Sequence, residues 1–426
     1  MKVLFLCLVW PEPKSSAAGV RLDHLIRLFH KEGYEIHLSS TAEKGPHSAL
    51  YEDLKGTYRH ALDPNSAETS HKLAQIKPNV VVFDRYPTEE QFSWQLMEVC
   101  PTAIRVLDTE DLHGLRRARQ LSLEANDQKS GDNHLYVDDQ LLSSSTVYNS
   151  VALREMISMH RSDLSLVVSD VELSYAQKHY AIPAKQLLHM PILSSRPVGN
   201  SEWIRSKEPM NAFFIGNFRH VPNRDAVQFL RFHLWPSIHQ SLNDKGLKGI
   251  ECHIYGAYMD AVMKRLHDPS INFHMKGRAD NVFSTMARYR VLLAPLRFGA
   301  GVKGKILDAL WADLPIITTP IGNEGLNVHL DGAEFPGYVA RTVAEFKKAA
   351  VQYLSGTTAV RVDPPINKLS IKNRMDHEYG IRCMFQINDL LQSKHRIFSP
   401  IQMMLQHNSQ LAHRYLSKYI QLKNKT

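Results

Sequence analysis

Residues Arg290–Gly325 read RVLLAPLRFGAGVKGKILDALWADLPIITTPIGNEG. The segment opens on an apolar run, Val291–Leu296, with the composition of a strand buried on both faces. Gly299, Gly301 and Gly304 follow close together, and a helical pattern then begins near Lys305–Ile306, carrying Leu307, Leu310 and Trp311. A buried strand, a glycine-rich turn and a helix start together make an anion site. Glycines let backbone N–H groups approach oxygens, and the helix start carries partial positive charge. Lys303 and Lys305 add full charges. Gly299 to Lys305 matches G-x-x-x-x-G-K, but Ile306 stands where a P-loop needs Ser or Thr for magnesium. Metal-independent phosphate binding is therefore expected. The alternative is a tight turn bearing surface lysines.

Around this segment the same grammar repeats. Ala212–Ile215, Glu251–Tyr255, Asn272–Met275, Val291–Pro295 and Pro315–Thr319 are short apolar runs, each followed by a turn and a helical pattern. The first half carries an equivalent series at Val3–Val9, Glu35–Ser39, Asn79–Asp84, Ala103–Asp108 and Leu164–Ser169. Between the first two of these, Leu22, Leu25, Ile26 and Phe29 share a helical face, and Gly33 ends that helix. Ser194–Asn211 is rich in Ser, Pro, Gly and charge and reads as a linker. The expected fold class is α/β: two doubly wound Rossmann-like domains facing across a cleft, with C-terminal helices. The expected boundaries are residues 1–195, 205–390 and a helical tail at 391–426. Glu124–Ser150 is polar and reads as an insertion or loop within the first domain. In the tail, Leu405, Leu411, Ala412, Tyr415, Leu416, Tyr419 and Ile420 form a stripe beside Arg414, Lys418 and Lys423. Packing on the body and a basic amphipathic membrane contact are both open for it.

Composition bounds the function. The chain has 426 residues, 43% hydrophobic and 22% charged, with 21 Gly and 21 Pro, which excludes collagen-like and disordered classes. Fifty-one Lys and Arg against 43 Asp and Glu give +8, a mild bias that fits anionic ligands better than a dedicated nucleic-acid binder. Cys7, Cys100, Cys252 and Cys383 are far apart, so no metal or disulfide framework is expected, and a reducing, cytoplasmic setting is. MKVLFLCLVWPEP reads as a first buried strand rather than a signal peptide, and no stretch reaches a membrane-spanning length.

Further candidates lie at other strand ends. Gly216, Asn217 and Arg219 follow the first strand of the second domain, where Arg219 can make a two-pronged contact with a diphosphate or simply sit on the surface. In the first domain Lys14–Gly19 is built of small residues that leave room for a ligand at the next helix start, with Arg21 in its first turn. Asp111 and His113 follow the Ala103–Asp108 strand, where catalytic groups sit in α/β folds, and can orient or deprotonate a hydroxyl. Helix capping is the alternative for Asp108 and Asp111.

These segments resemble a GT-B glycosyltransferase of the large family 4 type (glycosyl transferases group 1). The likeness rests on PLRFGAGVKGKILDALWADLPIITTPIGNEGL and FFIGNFRHVPNRDAV in the second half. VLDTEDLHGLRR and REMISMHRSDLSLVVSDVE carry it in the first. It spans roughly residues 1–390. It implies transfer of a sugar from a nucleotide-diphosphate sugar, usually with retention and without a bound metal or other cofactor. The donor would lie on the second domain and the acceptor, a glycan, lipid-linked or small molecule, on the first. It implies diphosphate contacts from Lys303, Lys305 and Arg219, within a loop of Gly299, Ala300, Gly301 and Val302. Asp308 would bind ribose as the second acid of an E-x7-E motif, Gly277 and Arg278 would cradle the base, and His113 would lie near the reacting centre. The first acid of that motif is replaced by Ala300, so backbone N–H groups, a lysine or another acid must hold the donor sugar. The likeness also implies polysaccharide or glycoconjugate biosynthesis, in the cytoplasm or at the cytoplasmic membrane face through the tail. A nucleotide-sugar epimerase of the same fold and a non-catalytic binding protein are the competing readings, the second favoured by Ala300.

Overall fold

A computed structural model describes residues 1–13, 17–45, 47–49, 51–130, 134–192, 210–330, 332–357, 371, 375–393 and 400–423. The Lys14–Ser16 part of the small-residue loop, Gly131 and Asp132, and most of the expected linker lie outside these residues.

Every apolar run read from the sequence is a strand. The first sheet contains β1 (Lys2–Cys7), β2 (Glu35–Ser40), β3 (Thr57–His60), β4 (Val80–Asp84), β5 (Ile104–Asp108), β6 (Leu164–Val167) and β7 (Leu187–His189), in the order β3-β2-β1-β4-β5-β6-β7. The second contains β8 (Ala212–Ile215), β9 (Cys252–Tyr255), β10 (Phe273–Gly277), β11 (Val291–Ala294), β12 (Ile316–Thr318) and β13 (Gly337–Val339), in the order β10-β9-β8-β11-β12-β13. All pairings between these strands are parallel. Residues 3–7 of β1, all of β4 and β5, and all of β11 are buried, as a sheet covered by helices on both faces requires. Each sheet has the doubly wound order, with a switch point between β1 and β4 in the first and between β8 and β11 in the second.

The sequence pattern missed β3, β7 and β13. All three are sheet edges. β3 reads TYRH and is half exposed, while β7 and β13 have three residues each, too few for a periodic signal.

The described residues divide into two compact units, and the divisions differ from the expected boundaries. The first unit takes in the described residues of 1–112, 150–195 and 372–426; the second takes in those of 113–149 and 196–371. The polar stretch expected as an insertion in the first domain therefore belongs with the second. Helix His113–Ser130 carries it there, and Leu135 sits in the second unit's core beside Phe214, Leu230 and Phe346. Residues after 371 belong with the first unit rather than the second. Helix Pro400–Lys423 packs there through Gln402, whose amide meets the Arg161 carbonyl, Ser417, which donates to the Pro64 carbonyl at 2.9 Å, and Arg414, 3.3 Å from Glu98. Its Tyr415, Leu416, Tyr419 and Leu422 stay exposed. Among the described residues no helix is long and apolar enough to cross a membrane. All four cysteines are free and buried.

Gly256, just after β9, decides how close the neighbouring loop comes. A Cβ there would lie 2.1 Å from the Gly216 carbonyl oxygen and 2.3 Å from Phe218 Cε2. We expect Gly256→Ala to lose about 2 kcal/mol, the usual cost of overpacking. Urea unfolding measures this, and an unchanged midpoint would contradict the close packing.

Candidate active site

At the second sheet's switch point, β8 and β11 are neighbours whose chains leave in opposite directions, which opens space at their carboxyl ends. Gly216–His220 follows β8, and Arg297–Lys303 follows β11. Gly301, at φ 65°, takes a left-handed turn that glycine adopts without strain. Lys303 caps helix Gly304–Trp311, one residue earlier than the sequence suggested, and the first N–H groups of that helix have no intrahelical acceptor. Val302 and the helix residues Ile306, Leu307, Ala309 and Leu310 are buried and anchor the turn, while Asp308 is half-buried one turn on.

Asn223 joins the two loops. Its amide nitrogen donates to the Asn217 carbonyl at 2.8 Å, and its Oδ1 accepts from Lys305 Nζ at 2.6 Å. The Gly216 backbone lies so close that a Cβ would come within 2.7 Å of Asn223 Cγ. Lys305 also lies over the Phe214 ring, 5.2 Å from its centroid. Burial, with the Lys303 charge added and Asp308 opposing, pulls the Lys305 ammonium down to about 7. Arg219 is exposed and stacks on Tyr258, 3.6 Å from the ring centroid, and its backbone N–H meets Asn217 Oδ1. Arg116, from the first turns of helix His113–Ser130, lines a hollow of about 150 Å³ with Arg219 and His220. A second hollow, of about 250 Å³, is lined by Gln120, Arg224, Asp225 and Arg297. Gly277 ends β10 at φ 83° with its carbonyl accepting from Gly256 N–H at 2.8 Å, and Arg278 beside it is exposed.

Lys303 differs from the expectation. Its ammonium turns inward, 2.7 Å from the Gly301 carbonyl and 3.1 Å from Glu324, instead of standing open in the turn. Glu324 is shared with Arg119, which is 2% exposed. Arg119 donates to Glu324 Oε1 at 2.6 Å, to Asp139 Oδ1 at 2.7 Å and to the Gly299 carbonyl at 2.6 Å. Burial pushes the Glu324 carboxyl up, but Arg119 and then Lys303 outweigh it and hold it at about 2. Arg297 grips Asp225 with both prongs at 3.0 Å, reaches Asp127 at 2.8 Å and lies over Phe229. These two arginines are why helix His113–Ser130 packs with the second unit. Glu324 is thus tied to the turn through Arg119 on the Gly299 carbonyl and Lys303 on the Gly301 carbonyl, and its charge is already matched. Arg119, Arg297, Glu324 and Asn223 escaped the sequence reading because each is identified by a distant partner.

In the first unit, Gly19 lies in helix Ala17–Lys31. A Cβ there would come 2.3 Å from the Glu12 carbonyl oxygen, so the room it leaves is filled by the chain's own backbone rather than kept for a ligand. Arg21 is buried with its guanidinium on Asp108 at 2.8 Å and on the Met190 carbonyl. The Asp108 carboxylate thus holds an arginine instead of capping a helix. Asp111 donates its N–H to the Thr109 carbonyl, and Leu112 N–H meets Glu172 at 2.7 Å. His113 begins the helix that follows, so the chain passes from one unit to the other between Leu112 and His113. Glu110, at φ 61°, was not singled out by sequence. Burial, then the nearby Asp108, pushes its carboxyl well above the usual range.

Residues 209–355 match the family model described as Glycosyl transferases group 1. No curated protein matches the chain. Several solved structures share its fold. The pneumococcal O-GlcNAc transferase GtfA, in complex with UDP and GlcNAc, superposes with a TM-score of 0.60 at 10% identity, over 92% of this chain and 99% of that one. Anabaena Alr3699/HepE, in complex with UDP and glucose, gives 0.59 at 10% identity over 91% and 100%. The S. aureus TarM G117R mutant, in complex with fondaparinux, alpha-GlcNAc-glycerol and UDP, gives 0.52 at 7% identity over 76% of this chain and 58% of that one. The fold is that of GT-B glycosyltransferases, and the match of residues 209–355 to a glycosyl transferases group 1 domain supports a transferase.

Glu324→Gln would leave Arg119 and Lys303 short of a matching charge. We expect it to cost about 3 kcal/mol, the order seen when one partner of a buried ion pair is removed. The Glu324 carboxyl sits below its ordinary value in the folded chain, so its contribution is full above pH about 4.5 and disappears as pH falls through about 2. Thermal unfolding at neutral pH checks the loss; equal stability of variant and wild type would refute the ion-pair role.

Proposed function

We propose that the chain moves a sugar from a nucleoside-diphosphate sugar to an acceptor hydroxyl, with retention and without a metal ion at the diphosphate. One observation carries this: Asn223 ties the β8 loop to Lys305, which places a lysine ammonium and a helix start together at the switch point. Breaking the bond between the anomeric carbon and the phosphate oxygen puts negative charge on the departing diphosphate. Lys305, Arg219 and the first N–H groups of helix Gly304–Trp311 offset that charge. Arg116 adds to it from the hollow it lines with Arg219. Lys303 acts differently, holding the turn closed on Glu324. With Ala300 in the motif's first acidic position and Glu324 paired, the backbone N–H groups of Gly299–Val302 hold the donor sugar. Asp308 takes the ribose, and Gly277 and Arg278 flank the base. Asp111 and His113 orient the acceptor hydroxyl, whose proton passes to the leaving phosphate oxygen as the new bond forms on the same face. UDP is the first nucleotide to test, because the GtfA, HepE and TarM structures hold it. The acceptor belongs to polysaccharide or glycoconjugate synthesis, and the exposed apolar residues of helix Pro400–Lys423 favour work at a membrane face.

The Lys305 ammonium supplies the test. Free, it titrates at about 7; a bound diphosphate raises that value, because an opposite charge favours the protonated form. The complex therefore holds a proton that the free protein loses as pH rises. UDP affinity should fall between pH 7 and 9, approaching tenfold per unit while the complex stays protonated. Lys305→Ala should bind more weakly at pH 7 and lose the slope. Calorimetry that finds a flat wild-type profile, or equal affinity at pH 7 in both proteins, overturns the assignment. Mass spectrometry of products from a nucleotide-sugar panel then identifies the donor.

A further inference from the structure

A second group of chemistry-bearing side chains lies away from the switch point, on edge strand β10 of the second sheet and its neighbour β9. β9 and β10 pair in parallel with His253 opposite His274. Glu251 lies two positions before His253, so strand alternation puts its side chain on the same face. One nitrogen or oxygen from each of Glu251, His253 and His274 falls within 4.8 Å of the other two. His253 Nε2 is 2.5 Å from Glu251 Oε2, and His274 Nε2 is 3.7 Å from Glu251 Oε1.

Two features distinguish this group from an ordinary surface ion pair. His274 Nε2 is buried and has no hydrogen-bond partner, an expense for a polar atom unless something binds it. His253 Nδ1 is 2.7 Å from the Tyr289 hydroxyl, which lies 3.0 Å from the Tyr255 hydroxyl. The Tyr289 hydroxyl at Nδ1 is placed as the outer hydrogen-bond partner of a metal-ligating imidazole, and an ion at Nε2 would replace the hydrogen that His253 shares with Glu251.

We propose that Glu251, His253 and His274 form a zinc site, with Nε2 of each histidine and the Glu251 carboxylate as ligands and water in the fourth position. Two imidazoles and one carboxylate suit Zn²⁺ among the common divalent ions. Ligand atoms in a tetrahedral zinc site lie about 3.3 Å apart, given bonds of about 2.0–2.1 Å. Small side-chain rotations bring the three atoms to that spacing. The ligands sit at the amino-terminal ends of β9 and β10, with Glu251 just before β9, whereas the proposed diphosphate loops follow the carboxyl ends of β8 and β11. The ion therefore clamps edge strand β10 to β9 and takes no part in sugar transfer. His267, near His274, is not a ligand: its Nδ1 accepts the Met275 N–H, so its other nitrogen carries the proton.

The test uses the full chain, stripped with a chelator and titrated with Zn²⁺ against a chromophoric zinc indicator. One equivalent per chain is expected. His274→Asn and Glu251→Gln should each weaken binding at least about tenfold, and Tyr289→Phe, which leaves all three ligands in place and removes the hydroxyl between His253 and Tyr255, about tenfold. Co²⁺ should give the intense visible absorption of a tetrahedral site in wild type and lose it in His274→Asn. Circular dichroism confirms that the variants fold; should one fail, the other two carry the comparison. Equal uptake by wild type and His274→Asn would place the zinc on other histidines and overturn the site, as would no uptake by wild type at micromolar Zn²⁺.

Discussion

The Arg119 guanidinium, buried and held by Glu324, Asp139 and the Gly299 carbonyl, is the constraint on which the second unit depends. A guanidinium cannot give up its proton in a protein, so once removed from water it must be surrounded by acceptors. Satisfying it brings together the glycine turn after β11, the acid at Glu324 and the polar segment after helix His113–Ser130. Lys303 completes the group by sharing Glu324. Charges spent in this way do not bind ligand; they hold the turn in the form that exposes the backbone of helix Gly304–Trp311. Arg297, in the loop after β11 and between Asp225 and Asp127, repeats the device at the far end of helix His113–Ser130.

Within that frame Lys305 is set apart. It lies against an aromatic ring and an amide, with no carboxylate bonded to its ammonium, and desolvation lowers its proton affinity to near neutrality. An anion arriving there meets a group whose charge it can itself restore. Lys303, two residues away and matched by Glu324, lacks that freedom. Two lysines two residues apart thus differ: Lys303 is paired with Glu324, and Lys305 is held by an amide and an aromatic ring.

The alternation of strands and helices was readable along the chain because strands buried on both faces must be continuously apolar, as in β1, β4 and β11. β3, β7 and β13 were not, since an edge strand can be short and polar and still be held by a single neighbour. Boundaries failed for a different reason. Residues 113–149 follow β5 directly and are polar, so position and composition both suggested an excursion from the first domain. Their attachment to the second unit comes from Leu135 in its core and from Arg119 and Arg297.

The glycine turn and the helix start after it could be found in the sequence, because a close backbone approach at a helix start needs small residues in adjacent positions. The Glu-x-His beside a later histidine in β9 and β10 carried no such signal, since the pairing of His253 with His274 depends on strand register. Local pattern sufficed for the strand order's elements, the turn at Gly299–Gly304 and the helix after it, all of which follow from burial and backbone geometry over a few residues. The fold alone decided which charges are paired: Arg119 finds Glu324 at a separation of 205 residues, and Lys305 finds Asn223 at 82. Electrostatic and hydrogen-bond energies depend on distance in space and on exclusion of water, and neither exists until the chain has folded.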